Sequence, residues 1–247
     1  NYYDGTLGAD IKLDTGTTIG ASVNYWGGGN TNHPHNYGYY LFRDSVLTYN
    51  SLFNNSSHAG IAVANLYFDK DLAGKQKIRA DIDYLYYNTR SLSKSQSSFT
   101  DDQGNQAGNG DSLFSPIQRD FGDTLINVLI GKIDYSKQLN KKIKLEAGGK
   151  ATYSRTNGRS GIENLENGVW VPNIVGRANN FITYEAISAG YLTFNMQLDS
   201  ATTLVAGARY EYSHNYTDKS ADANYRIDRK LSRLFPSIFF TRKINDN

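Results

Sequence analysis

The sequence has no cysteine, which excludes a disulfide scaffold, thiolate metal ligation and a cysteine nucleophile. It also lacks any stretch near the roughly 18 consecutive apolar residues that a membrane helix requires. The longest candidate is Ile61-Ala62-Val63-Ala64, so a helical membrane protein is excluded. Neither sign of charge dominates: 26 Lys and Arg against 24 Asp and Glu leave a net +2, without the basic surplus of a nucleic-acid binder. The opening residues Asn1-Tyr2-Tyr3-Asp4-Gly5 show neither the basic nor the apolar region of an export leader, and any such leader is expected upstream or already removed.

What is abundant is unusual for a soluble core. Nineteen Tyr, 11 Phe and 23 Gly accompany only 39% hydrophobic residues, and the mean hydropathy is −0.55. The dominant pattern has period two, the signature of strands with two chemically different faces. Ile78, Ala80, Ile82, Tyr84 and Tyr86 alternate with Lys77, Arg79, Asp81 and Asp83. Ile143, Leu145, Ala147, Ala151 and Tyr153 alternate with Lys144, Glu146, Lys150 and Ser154, and Leu204, Ala206, Ala208, Tyr210 and Tyr212 with Arg209, Glu211 and Ser213. Similar, weaker alternation marks Leu7 to Leu13 and Ile19 to Tyr25. Less regular strands are expected at Ser57–Asp69, Phe121–Ser136, Phe181–Leu198 and Leu231–Lys243, with bulges as one source of the irregularity.

The connections alternate in length. Short ones fall at Asp14-Thr15-Gly16, around Gly74, at Leu139-Asn140-Lys141, at Asp199-Ser200 and at the closing Asn245-Asp246-Asn247. Long polar ones occupy Gly27–Asn55, Ser91–Asp120, Thr156–Asn180 and Thr217–Arg229. Tight turns at one end and long loops at the other describe an antiparallel up-and-down meander of the kind found in transmembrane β-barrels. The expected fold is therefore all-β and a single domain over residues 1–247, with about nine or ten strands forming a barrel or part of a larger one. A nine-strand count is odd, whereas bacterial single-chain barrels have even numbers. A further strand hidden at Tyr37–Tyr49, or a larger parent barrel, would resolve this.

Aromatic residues cluster at both strand ends: Tyr25-Trp26, Tyr84, Tyr86, Tyr87, Tyr153, Tyr210 and Tyr212 toward the loops, Tyr67, Phe68 and Tyr135 toward the turns. Tyrosine favours strands anyway, but two rows at opposite ends match the interfacial girdles of membrane barrels. The faces bearing Ile78, Ala80, Ile82, Tyr84, Tyr86, Ile143, Leu145, Ala147, Ala151, Tyr153, Leu204, Ala206, Ala208, Tyr210 and Tyr212 are accordingly expected to meet outer-membrane lipid, and the charged faces a wet interior. A soluble β-sandwich is the competing architecture, with those charges on its outer faces.

Several motifs resemble one family. Leu234-Phe235-Pro236-Ser237, Ala206-Gly207-Ala208-Arg209-Tyr210-Glu211-Tyr212, Ile133-Asp134-Tyr135-Ser136-Lys137 and Lys144-Leu145-Glu146-Ala147-Gly148 look like the outer-membrane barrels of Bacteroidetes TonB-dependent receptors. Thr17 to Tyr25 and Ala80 to Tyr84 extend the resemblance in the same order. It implies a barrel of about 22 strands preceded by a plug, energised by TonB, and sometimes a surface lipoprotein as partner. Neither the plug nor a TonB box is visible in the sequence.

Candidate chemistry is sparse. His33-Pro34-His35 offers two imidazoles without identifiable further ligands. Asp101-Asp102-Gln103-Gly104-Asn105 through Gly110-Asp111 is rich in oxygen donors but lacks the spacing of a helix-loop-helix calcium loop. His58 and His214, with Asp101, Asp111, Asp120 and Glu185, leave a hydrolase triad imaginable but unpaired. The expectation is a non-enzymatic importer of a scarce or bulky nutrient (a metal chelate, a glycan or a peptide fragment) that requires no cofactor and binds no nucleic acid. Tyr37, Tyr39, Tyr40 and Phe42 are its candidate ligand contacts. The rivals are a small complete barrel acting as a pore or an outer-membrane enzyme, and an adhesive barrel.

Overall fold

A computed structural model describes residues 1–107, 114–173, 179–219 and 226–244. The closing Asn245-Asp246-Asn247 and the Gly110-Asp111 end of the oxygen-rich segment lie outside these residues. The chain forms β1 (Tyr2–Asp14), β2 (Thr17–Asn32), β3 (His35–Leu41), β4 (Val46–Leu72), β5 (Gln76–Thr100), β6 (Ile117–Gln138), β7 (Ile143–Glu166), β8 (Val169–Pro172), β9 (Asn179–Gln197), β10 (Thr202–Lys219) and β11 (Arg226–Arg242). All lie in one antiparallel sheet with the path β1-β2-β4-β5-β6-β7-β9-β10-β11, while β3 pairs with β4 and β8 with β7. The meander is as the alternation implies.

Three sequence expectations about the connections and the irregular strands need correction. First, the long loops are mostly strand. β4 and β5 run 27 and 25 residues, about 80 Å or more at ~3.3 Å per residue, whereas a tilted membrane crossing takes roughly 9–11. Second, the stretch 37–49 does not add a crossing strand. β3 keeps the register of β2 against β4, so the two are one strand interrupted at His33-Pro34, where proline has no N–H to give a ladder. Third, the irregular strands contain no bulges: their ladders keep one register from end to end. The single shift lies between Lys12 and Asp14 at the β1–β2 turn.

Register sorts the side chains into two faces. On one, Leu7, Ala9 and Ile11 of β1 meet Val23, Ala21 and Ile19 of β2. These continue through Ala64, Leu66 and Phe68 to Tyr84, Ile82 and Ala80, then to Leu129 and Ile133, Ala151 and Tyr153, and Leu192 and Phe194. Ala206, Ala208 and Tyr210 follow, then Ile238, Pro236 and Leu234. All fifteen residues singled out above, from Ile78 to Tyr212, share this apolar face. The loop-side tyrosines on it make ring contacts: Tyr3 with Tyr25 at 5.9 Å, Tyr153 with Tyr184 at 6.4 Å and Tyr184 with Tyr216 at 6.1 Å. Trp26, Tyr67 and Tyr87 fall on the opposite face by parity and do not belong to the rows.

The second face carries a ladder of paired charges. Asp69 lies 3.7 Å from both Lys77 and Arg79, and Arg79 lies 3.4 Å from Asp81. Lys132 meets Asp134 and Lys144 meets Glu146, each at 2.5 Å, and Arg209 meets Glu211 at 2.9 Å. Between the two aromatic rows the apolar face bears no charged side chain among the described residues.

Glycine and aromatic residues are matched across strands, which accounts for their joint abundance. Gly20 faces Tyr67, Gly38 Tyr49, Gly158 Phe181 and Gly148 Tyr191, and in each pair the ring covers the glycine. A ring laid over a bare glycine shields backbone that has no side chain of its own.

Among the described residues no second layer covers the sheet. Leu47, at 8% exposure, is the one buried hydrophobic residue among those described. The accessible surface is 16916 Å², against about 11,000 Å² for a compact soluble monomer of this mass. A sandwich buries one face of each sheet; here both faces are open, and the sandwich expectation falls.

Candidate ligand-facing site on the loop side

Beyond the tyrosine row the sheet continues as a tall polar wall, with hydroxyls and amides bonding across strands. Ser51 Oγ and Ser97 Oγ are 2.7 Å apart, and Ser93 donates to Asn55 Oδ1 at 2.7 Å. At the top, β3 and β4 meet the connection between β5 and β6. Tyr40 packs on Tyr49 with ring centres 5.2 Å apart. Phe114 then inserts among Tyr40, Phe42 and Phe99 at 5.7, 6.3 and 5.4 Å, edge-on to each. Edge-to-face geometry at these spacings is the favourable arrangement of aromatic quadrupoles. The cluster lies on the charged-ladder side of the sheet, since Tyr40 is opposite Leu47 and Tyr49 opposite Phe99.

The four aromatic residues named from sequence therefore divide. Tyr40 and Phe42 join the cluster. Tyr37 and Tyr39, exposed at 75% and 64%, fall on the apolar-face side of β3. Phe114, Phe99 and Tyr49 are its further members, and sequence reasoning missed them. Their only signal was aromatic character inside long polar stretches, which gives no hint of which rings meet.

Below this cluster, a recess of about 390 Å³ is lined by Pro34, Asn36, Phe53, Asn55, Ser93 and Asp120. On the neighbouring strands β8 folds back on β7. Asn164 is almost fully buried at 1% exposure, and its Oδ1 accepts from Gln118 Nε2 at 3.0 Å and Asn173 Nδ2 at 3.1 Å.

The other candidate groups have local partners. His35 Nε2 bonds Asn50 Oδ1, and no cluster of three metal-ligating side chains occurs among the described residues. Asp101 serves its own turn: its Oδ1 accepts from the backbone N–H of Asn105 at 2.7 Å and Gln103 at 3.0 Å. The Asn105 N–H, chief among these donors, holds the Asp101 carboxyl below the usual range. His58 stands on β4 and His214 on β10, with β5, β6, β7 and β9 between them. His214 pairs with Asp228 at 2.7 Å. The structure does not bring the two imidazoles together.

No curated protein matches the chain. Among solved structures, the unliganded ferric citrate transporter FecA is similar over 98% of this chain and 42% of its own, with 10% identity and a TM-score of 0.42. The ferric yersiniabactin uptake receptor FyuA from Yersinia pestis is similar over 97% of this chain and 41% of its own, with 8% identity and a TM-score of 0.36. The chain thus spans about two fifths of the length of each. The family described as Outer membrane protein beta-barrel family matches residues 67–247, from the turn-side end of β4 through β11. A single-layered meander, a face uncharged between two aromatic rows and this match agree: the chain is a bacterial outer-membrane protein and belongs to the outer membrane protein β-barrel family.

Proposed function

We propose that this chain is a wall segment of a TonB-dependent receptor-like importer, with its apolar face against lipid and its charged face lining the lumen. The observation that carries this reading is the segregation of charge. Ion pairs run along one face from Asp69 to Glu211, while the other is uncharged between its aromatic rows. Charged side chains are costly on a lipid-facing surface and tolerated in a wet lumen. The edges support a larger barrel. β1 and β11 are exposed throughout and are not paired with each other, and unpaired backbone groups in hydrocarbon cost several kcal/mol each. Partner strands on both edges remove that cost.

In this reading the ligand is a scarce or bulky nutrient such as a metal chelate, a glycan or a peptide fragment. It first meets the aromatic cluster of Tyr40, Phe42, Tyr49, Phe99 and Phe114, whose rings offer flat apolar surface above the lumen. Tyr37 and Tyr39, on the other side of the same hairpin, are secondary contacts. In this reading TonB acts through a plug carried elsewhere in the polypeptide, and the loops meet a surface lipoprotein.

The test uses the native polypeptide from the outer-membrane fraction, detected with an antibody to the 91–107 segment and then placed in planar bilayers. The expected result is a polypeptide several times heavier than 27.5 kDa that gives no steady conductance, as a plugged barrel should. A polypeptide near that mass that conducts freely would replace the importer with a small passive pore.

A further inference from the structure

The polarity of the wall reverses at the tyrosine row. Between the rows, cations point to the charged-ladder face. At and above the row, on β5, β6, β7 and β9, they point the other way. Arg90, Lys94, Arg119, Arg155 and Arg159 stand on the apolar-face side, opposed there only by Asp123 and Glu163. The other side of the same extensions carries Asp120, Glu166 and Glu185 and no cation among the described residues. Strand propensity does not produce this segregation, because alternating positions on a solvated wall are equivalent unless the two sides face different surroundings.

Within the basic band lies a recess of about 620 Å³, lined by Tyr86, Asn88, Arg90, Asn157, Arg159 and Asn180 among others. It begins at Tyr86 and climbs the wall directly beyond the apolar face. Arg90 reaches Asp123 at 3.2 Å, and Arg119 is held by Glu163 at 2.5 Å. Arg159 has no carboxylate partner among the described residues; its guanidinium lies 4.8 Å from the centre of the Phe121 ring. Arg155 lies 5.7 Å from the Tyr184 ring centre in the same way. Rings thus support guanidinium groups whose forked donors remain free, and a guanidinium fork matches phosphate oxygens bidentately.

We propose that this recess is a binding site for the phosphate-bearing headgroup of an outer-leaflet lipid, which Arg90 and Arg159 grip while its acyl chains lie on the apolar face below. The inference rests on the reading that the apolar face meets lipid. Given that reading, height selects the ligand. Tyrosine rings sit at headgroup level, and a basic pocket immediately beyond them meets the anionic part of a lipid rather than its chains.

The experiment uses the full-length native polypeptide in mild detergent, with phosphatidic acid and diacylglycerol of the same acyl chains as probes. Phosphatidic acid should bind about tenfold or more tightly than diacylglycerol, and the preference should weaken as salt rises. Arg90→Gln with Arg159→Gln should abolish the preference. Arg90→Lys with Arg159→Lys should restore part of it, which separates lost charge from misfolding. Lys150→Gln, on the charged-ladder face, should leave it intact. Equal affinity for the two lipids, or a preference unchanged by the glutamine pair, overturns the site. Displacement by inorganic phosphate as effective as by phosphatidic acid would make it a free-anion site and overturn the lipid assignment. A nitroxide at Ile133→Cys, with any cysteine elsewhere in the full-length polypeptide replaced, tests the underlying reading separately. Relaxation by dissolved oxygen but not by a water-soluble nickel chelate supports a lipid-facing position. The reverse result would sink the lipid-facing reading and this site with it, whereas a lipid-facing label with indifferent arginines would sink the site alone.

Discussion

At Gly148 a methyl group would meet the Tyr191 ring and sit 2.6 Å from the backbone oxygen of Ile133. The second contact is with backbone, which a rotamer change cannot relieve. Gly148→Ala is therefore expected to lower the unfolding free energy by about 1–3 kcal/mol, the usual cost of overpacking. Gly131→Ala, where nothing lies within 4 Å, should be neutral or slightly favourable. Urea titration of both variants in lipid or detergent checks the contrast. Asp101 gives a residue-scale dependence on pH. Its carboxyl is held low, first by the Asn105 N–H, so the folded state retains the charge at acidities where the unfolded chain has lost it. The resulting stabilisation is present above the ordinary carboxylate value and disappears as pH falls through the lowered one. Amide-exchange protection at Gln103 and Asn105 should persist below about pH 4 and then collapse, and Asp101→Ala should remove it at all pH values. Neither feature was legible in the sequence. Gly148 reads as one of many glycines until register sets Tyr191 opposite it, and Asp101 reads as one oxygen donor in a polar loop until its own turn claims it.

The turns show what sequence does reveal at the scale of elements. Three of them share one device, a side-chain oxygen that accepts from the backbone N–H two residues on: Asp14 with Gly16 at 2.7 Å, Asn140 with Lys142 at 2.8 Å and Asp199 with Ala201 at 2.8 Å. Asp and Asn in tight polar segments predict such turns, which is why the short connections and the nine long strands were readable. Asn140 also accepts from Ile143 N–H at 2.9 Å. Losing both bonds in Asn140→Ala should cost about 1–2 kcal/mol, with the loss in unfolding free energy measured in the same urea series. The strand extensions were not readable, for a physical reason. Alternation exists only where the two faces meet different media. Above the tyrosine row both faces of β4 carry Ser and Asn: Ser51 and Asn55, bonded to Ser97 and Ser93, on one, and Asn50 and Asn54 on the other. Such pairs hold a ladder together without leaving a periodic mark, so sequence reasoning saw loops. The aromatic cluster stands at the top of these extensions, and of its five rings the sequence singled out Tyr40 and Phe42 alone.

For the molecule as a whole, the two faces imply opposite responses to the same substitution a short step apart on one strand. Ile82 lies on the apolar face at 51% exposure, midway between the aromatic rows and flanked across strands by Leu66 and Gly131. Leu85, three positions on, lies on the charged-ladder face between Val63 and Val128. By exposure alone Ile82 is the more permissive site, and in a water-soluble protein Ile82→Arg would be the milder change. On the proposed reading, with Ile82 toward lipid and Leu85 toward the lumen, the order inverts. Arginine at the middle of a lipid-facing band costs about 2–4 kcal/mol, while a lumen-facing arginine keeps its hydration and neighbouring carboxylates such as Asp83. Ile82→Arg should therefore lower the unfolding free energy of the native polypeptide in lipid bilayers by that amount, and Leu85→Arg by less than about 1 kcal/mol. Repeating the pair in bilayers of shorter acyl chains should shrink the Ile82→Arg penalty, because a thinner layer brings position 82 nearer to water. A penalty larger at Leu85 than at Ile82 would invert the assignment of faces, and with it the placement of the charged ladder in the lumen.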